Sequence, residues 1–207
     1  MEKVLEVYKR PYDPNYPMVC MDESPKQLIK ETRVRVPMSK GRTVRIDYEY
    51  KREGVRNIFM ASEPMKGQRI VQLTQRKTKE DWARFVKGIA EAYPKAKRIT
   101  LVMDQLDTHK AGSLYDTYSP EEAKALWDRF EFINTPKHGS WLNMAEIELS
   151  VLNRQCLNRR IGDPDEMAKE VAAWVKIRNQ QTCIIEWRFE TKDARIKLKK
   201  LYPTIIT

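Results

Sequence analysis

At 207 residues, with 41% hydrophobic and 33% charged residues, the chain suits one domain with a full core, which excludes global disorder. Its 39 Lys and Arg against 29 Asp and Glu leave a net charge of +10, which favours a polyanionic partner through counterion release. No apolar run approaches the ~20 residues that span a bilayer, Met1 to Arg10 lacks a signal-peptide core, and Cys20, Cys156 and Cys183 lack metal-ligand spacing and read as buried free thiols of a reducing cytosol.

Residues 1–17 read as an N-terminal extension or linker, with three prolines between Lys9 and Pro17. Met18 to Met21 is a short apolar strand that ends at Asp22. Residues 26–42 are rich in Lys and Arg without a clean period, which suggests an exposed loop. Thr43 to Tyr50 alternates apolar and polar side chains, the pattern of a half-buried strand, and Glu53-Gly54 is a turn signal. Val55 to Ala61 and Gln68 to Thr74, broken by Pro64 and Gly67, complete an antiparallel meander.

The pattern then changes. Lys79 to Tyr93 sets Trp82, Phe85, Val86, Ile89 and Ala92 at helical spacing before Pro94. Arg98 to Met103 is an apolar internal strand ending at Asp104. Ser119 and Pro120 cap a helix that runs to about Phe130 and feeds a strand over Glu131 to Asn134. Past Pro136 and Gly139, one helix is expected from about Trp141 to Asn158 and another from an Asp163 cap to about Gln181. Residues 186–207 form a basic tail, helical in part. A block of strands followed by strand–helix alternation predicts an α/β fold: a mixed sheet, antiparallel meander plus parallel strands, flanked by helices.

Asp22 and Asp104 each stand at the tip of a buried strand, and would meet if those strands lie side by side. Glu146 falls near the start of a helix. Carboxylates delivered from separate elements to one point can hold two Mg2+ ions, the equipment for phosphodiester chemistry. Asp22 suits the bridging position, Asp104 one ion and Glu146 the other. Glu148 is a rival, because the stripe Leu142, Ala145, Leu149, Leu152, Cys156 leaves both glutamates flanking the buried face. Helical geometry does not choose between them.

Met-Asp-Glu-Ser around Asp22, Asp104 with His109 five residues on, and Thr-Pro-Lys-His-Gly-Ser-Trp-Leu-Asn-Met-Ala-Glu-Ile-Glu at 135–148 resemble the DDE transposase domain of the mariner superfamily, in its bacterial insertion-sequence-630 branch. The likeness runs from about Pro17 to Tyr202, and its Leu-Asn-x-x-Glu motif selects Glu146 over Glu148. It implies a ribonuclease-H-like catalytic domain over 18–185, Mg2+ or Mn2+ dependence, and cut-and-paste movement of double-stranded DNA in a bacterial, nucleoid-associated cytoplasmic setting. Terminal inverted repeats as substrate, TA as target and a dimeric complex come with it. Family members carry helix-turn-helix segments ahead of this domain, so the chain is expected to be a catalytic-domain fragment, the second product of a split reading frame or a decayed copy, with a separately encoded helix-turn-helix segment as partner.

Two further readings remain open on the residues: a nuclease or resolvase of the same fold that only hydrolyses, and a non-catalytic DNA-binding remnant. His109 and His138 are candidate DNA contacts, expected to orient a phosphate or water near the metals. Lys137, Arg154, Arg159 and Arg160 are candidate phosphate contacts, and Trp141 is a packing residue at the helix entry. The 26–56 stretch, with ten Lys or Arg against four Asp or Glu, is a candidate DNA-tracking surface, and the run from Arg195 to Lys200 is a second.

Overall fold

The computed structural model describes residues 1–33, 40–43, 48–137 and 139–199. Helix α1 (Glu2–Tyr8) precedes strand β1 (Met18–Glu31), β2 (Tyr50–Glu63) and β3 (Gln68–Thr74). Then come α2 (Lys79–Ala92), β4 (Ile99–Met103), α3 (Ala111–Tyr115), α4 (Pro120–Asp128) and β5 (Phe130–Asn134). A 3₁₀ turn (Ser140–Leu142), α5 (Ala145–Leu152), a π-helical turn (Asn153–Leu157), α6 (Pro164–Gln180) and α7 (Thr191–Lys197) complete the order. The strands form one sheet in the order β3-β2-β1-β4-β5. β1, β2 and β3 pair antiparallel, whereas β4 joins β1 and β5 joins β4 in parallel. This is the mixed sheet expected from the sequence, with β1 at its centre.

Side chains alternate across the central strand. Val19 and Met21 face one side, where Trp82, Phe85 and Ile89 of α2 pack with Leu114 of α3 and Leu126 of α4. α2 is set by a capping box between Thr78 and Asp81, and α4 by Ser119, whose hydroxyl accepts from the Glu122 amide. Met18 and Cys20 face the other side, against α1, the 3₁₀ turn, the start of α5 and Ala194 of α7. Farther along that side, α5 and α6 cover Leu28, Ile58 and Met60. Residues 1–17 therefore hold a packed helix whose Val4, Leu5 and Val7 are buried. Tyr8 Oη donates to the Leu142 carbonyl at 2.6 Å, and Arg10 clamps Glu131 at 2.6 and 3.1 Å.

Several local expectations are corrected. Residues 26–31 are not loop but the far half of β1, since their partners in β2, from Lys26↔Arg56 to Glu31↔Tyr50, supply the order that periodicity lacks. Glu53-Gly54 is no turn. Gln27 pairs with Val55 and Ile29 with Arg52, so Glu53 and Gly54 together oppose Leu28 in a β-bulge, with Gly54 at φ +99°. Of the strand expected over 43–50, residues 44–47 lie outside the described residues and Tyr50 begins β2. The long helix expected over 141–158 is divided into the 3₁₀ turn, α5 and the π-helical turn. Only Cys20 of the three free thiols is fully buried, which pushes it up to about 12; Cys156 and Cys183 are half-buried.

Gly67 makes the β2–β3 turn at φ +67°, and a Cβ there would lie 2.5 Å from the Thr182 carbonyl carbon. Gly67→Ala is expected to cost about 2 kcal/mol or more, from left-handed strain plus this clash. Urea unfolding with an unchanged m-value would report it; an unshifted midpoint would contradict it.

Candidate metal and nucleic-acid site

The register of the two parallel strands brings the first two acids together. Cys20 pairs with Val102, a separation of 82 positions, and Asp22 and Asp104 stand two residues farther along at the same separation (104 − 22 = 82). By alternation both acids share the face of Cys20 and Val102, which pack with Leu142, Met144 and Ala145 immediately before Glu146. Asp22 has its pKa raised to about 7: burial is the main cause, and the charges of Asp104, Glu23 and Glu146 add to it, against a hydrogen bond from the Glu23 amide. Mutual repulsion among these carboxylates is what a divalent cation would relieve, and hard oxygen donors suit Mg2+ or Mn2+.

Glu146 reaches this point because Asn143 ties its helix to β1. Asn143 Nδ2 donates to the Met21 carbonyl at 2.7 Å and approaches Asp22 Oδ2 at 3.4 Å. Its Oδ1 accepts from the Ala145 amide at 3.1 Å, so one buried side chain both caps α5 and holds it to the strand. Glu146, in the first turn, is half-exposed.

Glu148 is placed differently. It is fully buried, and its carboxylate accepts from Arg69 Nε at 2.9 Å and Nη2 at 2.8 Å, and from Arg178 Nε and Nη2 at 3.1 Å each. Burial pushes its pKa up, but the two guanidiniums outweigh this and hold it below the usual carboxylate range. Both oxygens are committed to the fold, so burial separates the two glutamates where helical spacing could not.

A further carboxylate, Glu23, is linked to Asp104 through His109. His109 is buried and stacked on Trp82, with ring centroids 5.4 Å apart. Its Nε2 lies 2.6 Å from Glu23 Oε1, and its Nδ1 lies 2.7 Å from Asp104 Oδ1. The Nδ1 approach lacks the alignment of a linear hydrogen bond, so it is a charge pairing. Burial disfavours the imidazolium, yet the contacts with Asp104 and Glu23 win and raise its pKa to about 9. Glu23 was not singled out from the sequence. Period-2 alternation carried its signal: next to Asp22, it must face the apolar α2 side and needs a partner there.

The proposed phosphate contacts scatter. Lys137 and Arg154 are exposed, while Arg159 pairs with Glu170 at 2.9 Å. Arg160 pairs with Glu31 at 2.8 Å and lies 5.4 Å over the Tyr50 ring, clasping the loop before α6 to the β1–β2 ribbon. His138 lies outside the described residues. Trp141 packs edge-on against Phe189 yet keeps 44% of its surface exposed. In the tail, Arg195 pairs with Glu2 at 2.8 Å. Among the described residues no helix is long and apolar enough to cross a membrane.

Residues 17–168 match the sequence profile of a family described as DDE superfamily endonuclease. No curated protein sequence matches. The chain is similar to the solved structure of the Mos1 mariner paired end complex with Mn, at TM-score 0.60 and 15% identity, over 88% of this chain and 54% of that one. It is similar to the Mos1 strand transfer complex at TM-score 0.58 and 13% identity, over 84% and 51%. The catalytic domain of Mos1 mariner transposase matches at TM-score 0.57 and 11% identity, over 88% and 87%. Identities this low speak for the fold, which is ribonuclease-H-like. The chain spans about half the length of the Mos1 chain in the two complexes.

Proposed function

The chain belongs to the DDE superfamily endonuclease family, and from that premise we propose that it is the catalytic domain of an insertion-sequence-630-type transposase of the mariner superfamily. It cleaves double-stranded DNA at the terminal inverted repeats of its element and joins the ends to TA targets. The domain is taken as residues 18–185, with α1 and residues 186–199 of the tail packed on it. What supports this reading is that Asp22 and Asp104 stand at matched ends of paired parallel strands, and that the charges of Asp104 and Glu146 both act on Asp22.

Asp22, Asp104 and Glu146 would hold two Mg2+ or Mn2+ ions. Such ions, when bound, neutralise the phosphoryl group and lower the pKa of water. Asp22, from the central strand, faces both of the other acids. Asn143 keeps the Glu146 helix against β1, and His109 sits behind Asp104. Lys137 and Arg154 are exposed and can reach backbone phosphates; Arg159 and Arg160 would have to share their charge with Glu170 and Glu31. A separately encoded helix-turn-helix segment would supply recognition of the ends. The working complex is a dimer on paired ends, in a bacterial cytoplasm.

Strand joining tests the reading. With Mn2+, a supercoiled plasmid and a duplex carrying the element's terminal repeat with a free 3′ hydroxyl, the protein is expected to give covalently joined product at TA. Nicked plasmid without joined product would assign hydrolysis alone. No metal-dependent product from a folded protein would leave only DNA binding.

A further inference from the structure

We propose that Glu23, acting through His109, is the positioning residue that aims the Asp104 carboxylate into the shared acid site. The inference rests on the reading of Asp104 as a metal ligand. Asp104 lies just past the end of β4, and among the described residues the one hydrogen bond its Oδ1 accepts is a long one, 3.4 Å from the Leu106 amide. Its carboxylate therefore depends on the 2.7 Å contact with His109 for a fixed orientation. The imidazole is in turn fixed three ways. The His109 amide donates to the Leu106 carbonyl at 2.9 Å, closing a tight turn. Trp82 sets the ring plane by stacking at 23°. Glu23 sets the rotation within that plane by its 2.6 Å bond to Nε2.

Glu23 is not a further ligand of the same centre. It neighbours Asp22 on β1, so alternation turns it to the α2 face, and its side chain is only 3% exposed. Ligand atoms of Glu23, Asp104 and His109 do fall within 4.8 Å of one another. The two carboxylates, however, contact different nitrogens of one ring, Nε2 by Glu23 and Nδ1 by Asp104, so each nitrogen already has a carboxylate partner. Asp104, imidazole and Glu23 thus form a chain, with the acid site at one end and a buried anchor at the other. Outer partners of this kind, orienting the group that touches the metal, are typically worth 10- to 100-fold in metal affinity.

Mn2+ binding followed by loss of the free-ion EPR signal, on the full chain without DNA, tests this apart from turnover. Glu23→Ala and His109→Ala are each expected to weaken Mn2+ binding about tenfold or more. Glu23→Gln, which keeps an acceptor for Nε2–H, should stay within about threefold. The double variant should be no weaker than His109→Ala, because Glu23 acts only through the ring. A second readout needs no metal: the chain has two histidines, so in a His138→Asn background one ring remains, and its nitrogen shifts should move in Glu23→Ala. If Glu23→Ala fails to fold, Glu23→Asp, one methylene short, should weaken binding where Glu23→Gln does not.

Full affinity in Glu23→Ala or Glu23→Asp, or losses that add in the double variant, would overturn the proposal while Asp104→Asn still abolished binding. A parent protein that binds no Mn2+, or an Asp104→Asn variant that binds as the parent does, would overturn the ligand reading and this inference with it.

Discussion

Replacing Asp22 with Asn is expected to lower metal-dependent DNA cleavage by about 10³-fold or more, roughly 4 kcal/mol of transition-state stabilisation, while the metal-free protein keeps or gains thermal stability. The two effects have one cause. Asp22 is half-buried at the end of the central strand, where burial and the charges of Asp104, Glu23 and Glu146 all disfavour its ionised form. A bound divalent cation would turn that repulsion into attraction, so the strain belongs to the site and not to the fold. Asn keeps the shape and can still accept the Glu23 amide bond of 2.8 Å, but it removes the charge. Activity and melting temperature should therefore move independently or in opposite directions. Cleavage assays beside thermal melts would show this. Asp22→Asn with parental activity would remove Asp22 from the metal site, and a collapse in stability would make it structural.

Glu148→Ala should do the reverse. It leaves Arg69 and Arg178 without their shared carboxylate, and breaking a buried pair from one side costs about 3–5 kcal/mol. Arg69 is itself nearly inaccessible and also donates to the carbonyls of Gly67 and Cys183. Removal of Glu148 thus strands a buried cation where β3, α5 and α6 meet. Against a usual total of about 5–15 kcal/mol, the variant should be marginally folded. Urea unfolding measures it directly. A loss below about 1 kcal/mol would mean that water reaches the arginines and that the pair is no more than a surface bridge.

These two substitutions also mark what the sequence made legible. Asp22 and Asp104 could be read because each ends an apolar run, and a buried strand delivers its next polar residue to the sheet edge. Glu146 and Glu148 could not be separated by the stripe on α5. Their difference lies in Arg69 and Arg178, 79 and 30 positions away in sequence. Glu23 was hidden because its partner, His109, is 86 positions distant. The far half of β1 carried no periodicity because it runs as a ribbon paired mainly with β2, exposed along much of its length. α1 is only seven residues long, too short for a helical period to stand out, and its burial is set by Met18, Cys20 and Leu142. The capping residues Ser119 and Asp163 and the change from a strand block to strand–helix alternation were legible since they depend on local pattern, whereas α3 and the breaks on either side of α5 were not.

Diffraction from crystals soaked in Mn2+, with anomalous peaks locating the ions, shows whether the three acids share a metal centre. Manganese is expected at about 2.1 Å from carboxylate oxygens of Asp22, Asp104 and Glu146 together. Manganese held elsewhere, or by one of these side chains with the other two turned away, would contradict a shared centre.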